Sequence, residues 1–230
     1  MSISVIIPTL NEKKNIKRIA KRLDKIKFIK EVIFVDDNSV DGTFLEIKKI
    51  KKKKFKGFLR KNSEKDLSKS VMHGVLKSKH NYIVVMDGDL QHDSNYIQDM
   101  WNKIKLSDYD IVVASRFMNK KFSGNLGYIR SILSNLAINT INFLYGKKTS
   151  DPLSGFFICK KKTLINYKNF FFLRGYKILF DVLYNGKKEI KVFDYGITFN
   201  KRYAEKSKFK LRIIWLFLLQ LLYTKLVVKK

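Results

Sequence analysis

The chain has 230 residues, 45% hydrophobic and 13% aromatic, which is enough apolar material for one packed domain and excludes disorder as its default state. A formal net charge of +28 raises nucleic acid and anionic membrane as partners, but lysine outnumbers arginine 40 to 8 and is scattered along the whole chain. Without a helix-turn-helix, zinc-finger or RNA-recognition signature beside it, that charge reads as a compositional lean toward lysine, and no nucleic-acid partner is expected. The one cysteine, Cys159, excludes a disulfide framework; in its apolar run it reads as a small buried hydrophobe in a reducing compartment.

Met1 leads straight into Ser2-Ile3-Ser4-Val5-Ile6-Ile7-Pro8 with no basic leader, so no export is expected. Strands are predicted at Ser4 to Pro8, Glu31 to Asp36, Tyr82 to Met86 and Ile111 to Ala114. Helical patterns stand between them at Asn15 to Ile26, Thr43 to Ile50 and Tyr96 to Ile104. This alternation predicts an α/β domain with a mostly parallel central sheet flanked by helices. A basic-aromatic segment follows from Phe117 to Arg130, then a helix from Ile132 to Leu144 and a loop from Lys147 to Gly155. Next come a strand at Phe156 to Cys159, a helix at Tyr176 to Tyr184 and a strand at Lys191 to Phe199.

From Leu211 to Val228 the chain is strongly apolar, interrupted by Arg212, Gln220, Thr224 and Lys225. A full span needs roughly 20 apolar residues, so this stretch reads as an amphipathic, interfacial C-terminal helix flanked by snorkelling lysines. A core helix packed on the domain is the competing reading.

In a parallel sheet, ligands lie outside the carboxyl ends of the strands. Three such ends are polar: Pro8-Thr9-Leu10-Asn11-Glu12, Asp36-Asp37-Asn38-Ser39 and Asp87-Gly88-Asp89-Leu90-Gln91-His92. Gly88 lets the backbone turn between two carboxylates. Asp89 with the amide oxygen of Gln91 then makes a platform of hard oxygen donors for Mg²⁺ and a diphosphate. Turn acids that cap the next helix would leave the same trace. Asp37 could accept hydrogen bonds from a base or ribose, whereas Asp41 reads as turn or N-cap chemistry. His73, His80 and His92 show no metal-ligand spacing and read as surface or helix-start residues.

Taken together, these motifs resemble the family 2, GT-A fold glycosyltransferases. Val113-Ala114-Ser115-Arg116, Ser150-Asp151-Pro152-Leu153-Ser154-Gly155 and Gly175-Tyr176-Lys177-Ile178-Leu179 are similar to the dolichyl-phosphate mannose synthases among them, over roughly residues 3 to 208. The resemblance implies a GT-A nucleotide-diphospho-sugar transferase domain over 1–208 and a membrane-associating helix over 209–230. It implies Pro8, Glu12, Val35 and Asp37 around the nucleoside of GDP-mannose, and Asp87, Gly88 and Asp89 at the diphosphate. Asp89 and Gln91 would hold Mg²⁺ or Mn²⁺. Arg116, Lys177, Arg202 and Lys208 would face the sugar diphosphate or the acceptor phosphate, with Asp89, Arg116 and Arg202 central to catalysis. Arg130 and Ser134, at i and i+4, match the family's pair for the phosphate of dolichyl or another polyprenyl phosphate.

The sequence departs from the family pattern at Leu10, at Asp66-Leu67-Ser68, in Tyr203 to Lys208, and at Gly88, where the closest members carry alanine. The implied reaction is an inverting transfer of mannose to the lipid phosphate at the cytoplasmic face of a membrane. The enzyme would be peripheral or monotopic, with room for a membrane-anchoring subunit. The rival readings are a sister transferase that uses UDP-glucose or another sugar nucleotide, and a catalytically silent, basic membrane or nucleic-acid binding protein.

Overall fold

A computed structural model describes residues 2–61, 65–118, 128–175, 177–186, 189–198 and 211–228. The first apolar run forms β1 (Ile3–Thr9), every residue of it buried, because helices cover both faces of the sheet there. Alternate side chains divide between two cores. Val5 and Ile7 join Ile16, Ile19 and Leu23 of α1 (Lys13–Asp24) on one face; Ile6 meets Val71 and Val75 of α3 (Leu67–Lys77) on the other.

β2 (Ile29–Asp36) pairs parallel with β1, and α2 (Thr43–Lys48) leads to β3 (Phe55–Leu59), parallel to β2 at the sheet edge. From β3 the chain returns through α3 to the far side of β1, where β4 (Tyr82–Val85) pairs parallel with it. The order of strands therefore reverses between β1 and β4, and a crevice opens at their carboxyl ends.

Beyond β4 lie α4 (Tyr96–Lys105), β5 (Ile111–Ser115), α5 (Tyr128–Tyr145), β6 (Phe157–Lys160) and α6 (Lys161–Ile165). The described chain closes with α7 (Ile178–Tyr184), β7 (Val192–Gly196) and α8 (Leu211–Val228). The seven strands take the order β3-β2-β1-β4-β6-β5-β7; β6 runs antiparallel to both neighbours and the other pairings are parallel. The mostly parallel sheet is as expected. β3, α3 and α6 are elements that the periodicity does not announce.

The competing reading, a core helix packed on the domain, describes one side of the last helix. Gln220, Leu221 and Thr224 of α8 are buried against the domain, while Trp215, Leu222 and Leu226 are more than 60% exposed. Among the described residues no helix is long and apolar enough to cross a membrane.

Candidate active site

The loops after β1 and β2 are wired to each other before any ligand is considered. Asn11, in the left-handed region at φ 55°, receives Val40 N–H on Oδ1 at 3.0 Å and donates its own N–H to Ser39 Oγ at 2.8 Å. Asp36 accepts from Ser39 Oγ at 2.5 Å and from Thr9 Oγ1 at 3.2 Å. Asp41 accepts the Thr43 N–H at 2.9 Å and the Lys13 N–H at 3.1 Å, the turn role expected of it. These acids shape the rim, which leaves Glu12 and Asp37 as the acids of the two loops that line the crevice.

Asp37 is buried with Arg60, whose Nη1 donates to Oδ1 at 2.6 Å; the Asp66 N–H donates to its other oxygen. Arg60 Nη1 also reaches Ser70 Oγ at 2.8 Å. Burial pushes the carboxyls of Asp37 and Asp66 above the usual carboxylate range, against the pull of Arg60 on the first and of the Gly175 N–H on the second.

After β4, Asp87, Gly88, Asp89 and Gln91 follow one another along the wall of the crevice. The Gln91 N–H bonds back to Asp89 Oδ1 at 3.1 Å, and Leu90 takes a positive φ of 64° to make the turn. His92 is not a surface residue: it is 3% exposed, stacks on Phe156 at 5.0 Å and accepts the Asp87 N–H on Nδ1 at 3.3 Å. Its apolar seat comes from Phe156, 64 positions further along the chain, and local sequence cannot announce that. Gly155 packs directly on the Asp87 carboxylate.

Arg116, at the end of β5, presents its fork to Asp151: Nε to Oδ2 at 2.6 Å and Nη2 to Oδ1 at 2.8 Å. Both are buried, so the pair is rigid and is screened little by solvent. Lys177 donates from Nζ to Leu153 O at 3.3 Å and lines the crevice between these groups and α8.

The crevice holds about 400 Å³ and has two unlike halves. Pro8, Glu12, Asp37, Asp87, Gly88, Asp89, Gln91, Arg116 and Lys177, all named from sequence, meet in the polar half, and Ser134 of α5 faces the same space. Val35 does not line it: its side chain is fully buried between β2 and α3. Arg202 and Lys208 lie outside the described residues, as does the side chain of Arg130, whose backbone belongs to α5. The other half is apolar, walled by Leu133, Leu136 and Ala137 of α5 and by Ile213, Phe217 and Leu221 of α8.

In the sequence Asp151 and Gly155 stand only inside a family motif and Asp66 only as a departure from the family pattern, none with a role at the site, and Arg60 goes unnamed. The scarcity of arginine was the one signal that could have pointed to Arg60.

A divalent cation fits the donor set only in company. Among the described residues no three His, Cys, Asp or Glu side chains are grouped to hold a metal by themselves. Asp89 and the Gln91 amide offer hard oxygen ligands beside a space open to a diphosphate, whose oxygens would complete the shell.

Residues 4–168 match the model of a family described as Glycosyl transferase family 2. The dolichol-phosphate mannosyltransferase of Pyrococcus furiosus is 33% identical over 95% of this chain, which spans 62% of that relative's length. The protein of the same name from Saccharomyces cerevisiae is 29% identical over 95% of this chain and 85% of its own length. Among solved structures, glucosyl-3-phosphoglycerate synthase from Mycobacterium tuberculosis, in complex with Mn²⁺, uridine diphosphate and glucosyl-3-phosphoglycerate, superposes with a TM-score of 0.73. That match covers 98% of this chain and 78% of the other at 16% identity, a likeness of fold.

Proposed function

Because the chain belongs to glycosyl transferase family 2 and has the GT-A fold, we propose that it moves mannose from GDP-mannose to dolichyl or another polyprenyl phosphate. The single observation that carries this reading is the apolar half of the crevice. A sugar nucleotide and a small soluble acceptor have no use for a wall of leucine, isoleucine and phenylalanine, whereas the first isoprene units of a lipid phosphate do. The names of the two mannosyltransferase relatives support the same acceptor.

In this reading Pro8, Glu12 and Asp37 hold the nucleoside, and Asp87, Gly88 and Asp89 approach the diphosphate. Asp89 and Gln91 would hold Mg²⁺ or Mn²⁺, which supplies Lewis-acid stabilisation of the leaving group. Asp151 clamps Arg116 in place before substrate arrives, and Arg116 with Lys177 faces the departing diphosphate, where negative charge builds up as the bond to the anomeric carbon breaks. Ser134 and Arg130 of α5 take the acceptor phosphate, and Arg202 and Lys208 are assigned to the same phosphates.

A phosphate monoester has a second pKa near about 6, so at neutral pH its oxygen is already a nucleophile and needs no protein base. The residues need only align that oxygen with the anomeric carbon. One in-line displacement inverts that carbon, giving a β-linked lipid phosphate from an α-linked donor.

Residues 1–208 would then be the catalytic unit, and the helix within 209–230 would lie in the headgroup region. The exposed apolar face of α8, with Trp215, Leu222 and Leu226, supports that placement, and the lysines near the C-terminus, Lys225, Lys229 and Lys230, would add attraction to anionic lipid at a cytoplasmic membrane face. The donor has a second reading: the M. tuberculosis structure contains uridine diphosphate, so UDP-glucose on the same lipid carrier competes with GDP-mannose.

The test offers GDP-mannose, UDP-glucose and UDP-N-acetylglucosamine in parallel and determines the anomeric configuration of the lipid product by NMR. β-Mannosyl phosphate is expected. An α-linked product overturns the single displacement, and product from a uridine donor alone overturns the donor.

A further inference from the structure

Gln220 interrupts the apolar run of α8, and it is buried, 1% exposed. Its Nε2 donates to Asp181 Oδ1 at 2.7 Å and to Lys177 O at 3.2 Å. Asp181, fully buried on α7, also accepts from Asn185 Nδ2 at 3.0 Å and from the Leu173 N–H at 3.2 Å. Two residues on, Gly175 donates its N–H to Asp66 Oδ2 and its carbonyl accepts from Ser68, while Asp66 N–H donates to Asp37. The links between the polar half of the crevice and α8 are thus directional hydrogen bonds, carried through the loop before α7.

Apolar contact alone would not fix this helix. α8 is rich in apolar residues on both faces, and hydrophobic contact is non-directional, so a slide of one turn, about 5.4 Å, that brings Ile213 to the place of Phe217 and Phe217 to the place of Leu221 exchanges one apolar side chain for another. Such a slide would leave the Gln220 amide and the Asp181 carboxylate buried without each other, which is the costly outcome. A single buried polar residue setting the register of an otherwise apolar helix is known from coiled coils.

We propose that Gln220 and Asp181 are positioning residues for the acceptor: their pairing fixes the rotation and register of α8, and so places Phe217 and Leu221 on the crevice wall beside Lys177. This rests on the reading that the apolar half receives the polyprenyl chain.

The test compares the full wild-type chain with Gln220→Met and Gln220→Leu, which keep the volume and remove the amide. Four quantities are measured: KM for polyprenyl phosphate, kcat, the Kd of GDP and UDP with Mn²⁺, and amide hydrogen exchange along α8, α3 and β1. The expected result is an acceptor KM raised about tenfold, with kcat and nucleotide Kd within about twofold and faster exchange confined to α8. Unchanged acceptor KM and unchanged α8 exchange in folded variants overturn the proposal. So does a parallel loss of nucleotide binding, or failure of both variants to fold, since either marks a structural residue. If the wild type transfers no sugar to polyprenyl phosphate, the functional reading fails, and the exchange of α8 alone then decides the register lock.

Discussion

The Cα of Gly155 lies so close to the Asp87 side chain that a methyl group there would sit 2.5 Å from Oδ2 and 2.8 Å from Oδ1. The glycine is needed for close approach and not for its backbone angle. Gly155→Ala therefore pushes the carboxylate out of place, and transferase activity is expected to fall about 100-fold with the fold retained. Gly88 is the contrast. A methyl there meets Pro8 O and Thr9 Cγ2 at 3.4 Å, ordinary contact, so Gly88→Ala should stay within about threefold of wild type. Steady-state rates with circular dichroism on both variants decide the pair.

Removing one partner of the buried Arg116–Asp151 pair strands the other. Asp151→Asn keeps the shape but leaves the guanidinium without its counter-charge, and a loss of about 3–5 kcal/mol in urea unfolding is expected. A loss below about 1 kcal/mol, the range of exposed pairs, would mean that solvent reaches this pair.

Stability should depend on pH through Asp181. Burial pushes its carboxyl up to about 6, against the donors from Gln220 and residues 172–173. The folded chain then binds the proton more tightly than the unfolded chain, so stability from this group is fully present below about pH 4 and is lost as pH rises through 6. The loss is on the order of 3 kcal/mol at most. Unfolding free energies of wild type and Asp181→Asn, measured from pH 4 to 7, should diverge by a falling wild-type slope; parallel curves contradict the assignment.

The strand ends were legible in the sequence because β1, β2, β4 and β5 are buried on both faces, so each is a near-continuous apolar run stopped by polar residues. β3 was not legible. Phe55–Leu59 is a half-exposed edge strand after four consecutive lysines, and Gly57 in its middle has no side chain to show a pattern. In the site, the acids after β4 could be placed on the rim because they follow a buried-strand run, although their spacing alone fits turn acids equally. Arg60 could not, since it meets Asp37 across 23 residues, and Gly155 could not, since its use is defined by what lies against it. The two faces of α8 were likewise hidden, because leucine and isoleucine serve a buried wall and an exposed one equally.

If Asp89 and Gln91 share a metal as proposed, metal dependence should separate their two roles. Chelation should abolish transfer, with activity restored by Mg²⁺ or Mn²⁺. Asp89→Asn should remain inactive at any metal concentration, whereas Gln91→Ala should recover in part and require about 10–100 times more metal. Equal loss in both variants, without recovery, would contradict a graded pair of ligands.

The central claim is a lipid acceptor, and the most direct measurement follows radiolabel from the donor sugar into organic solvent. Wild-type chain, Mg²⁺ or Mn²⁺ and labelled sugar nucleotide are offered polyprenyl phosphate in one vessel and 3-phosphoglycerate in another. Label in the lipid phase, absent with Asp89→Asn, is the result this account predicts. Label only in the water-soluble product, or in neither, would contradict it.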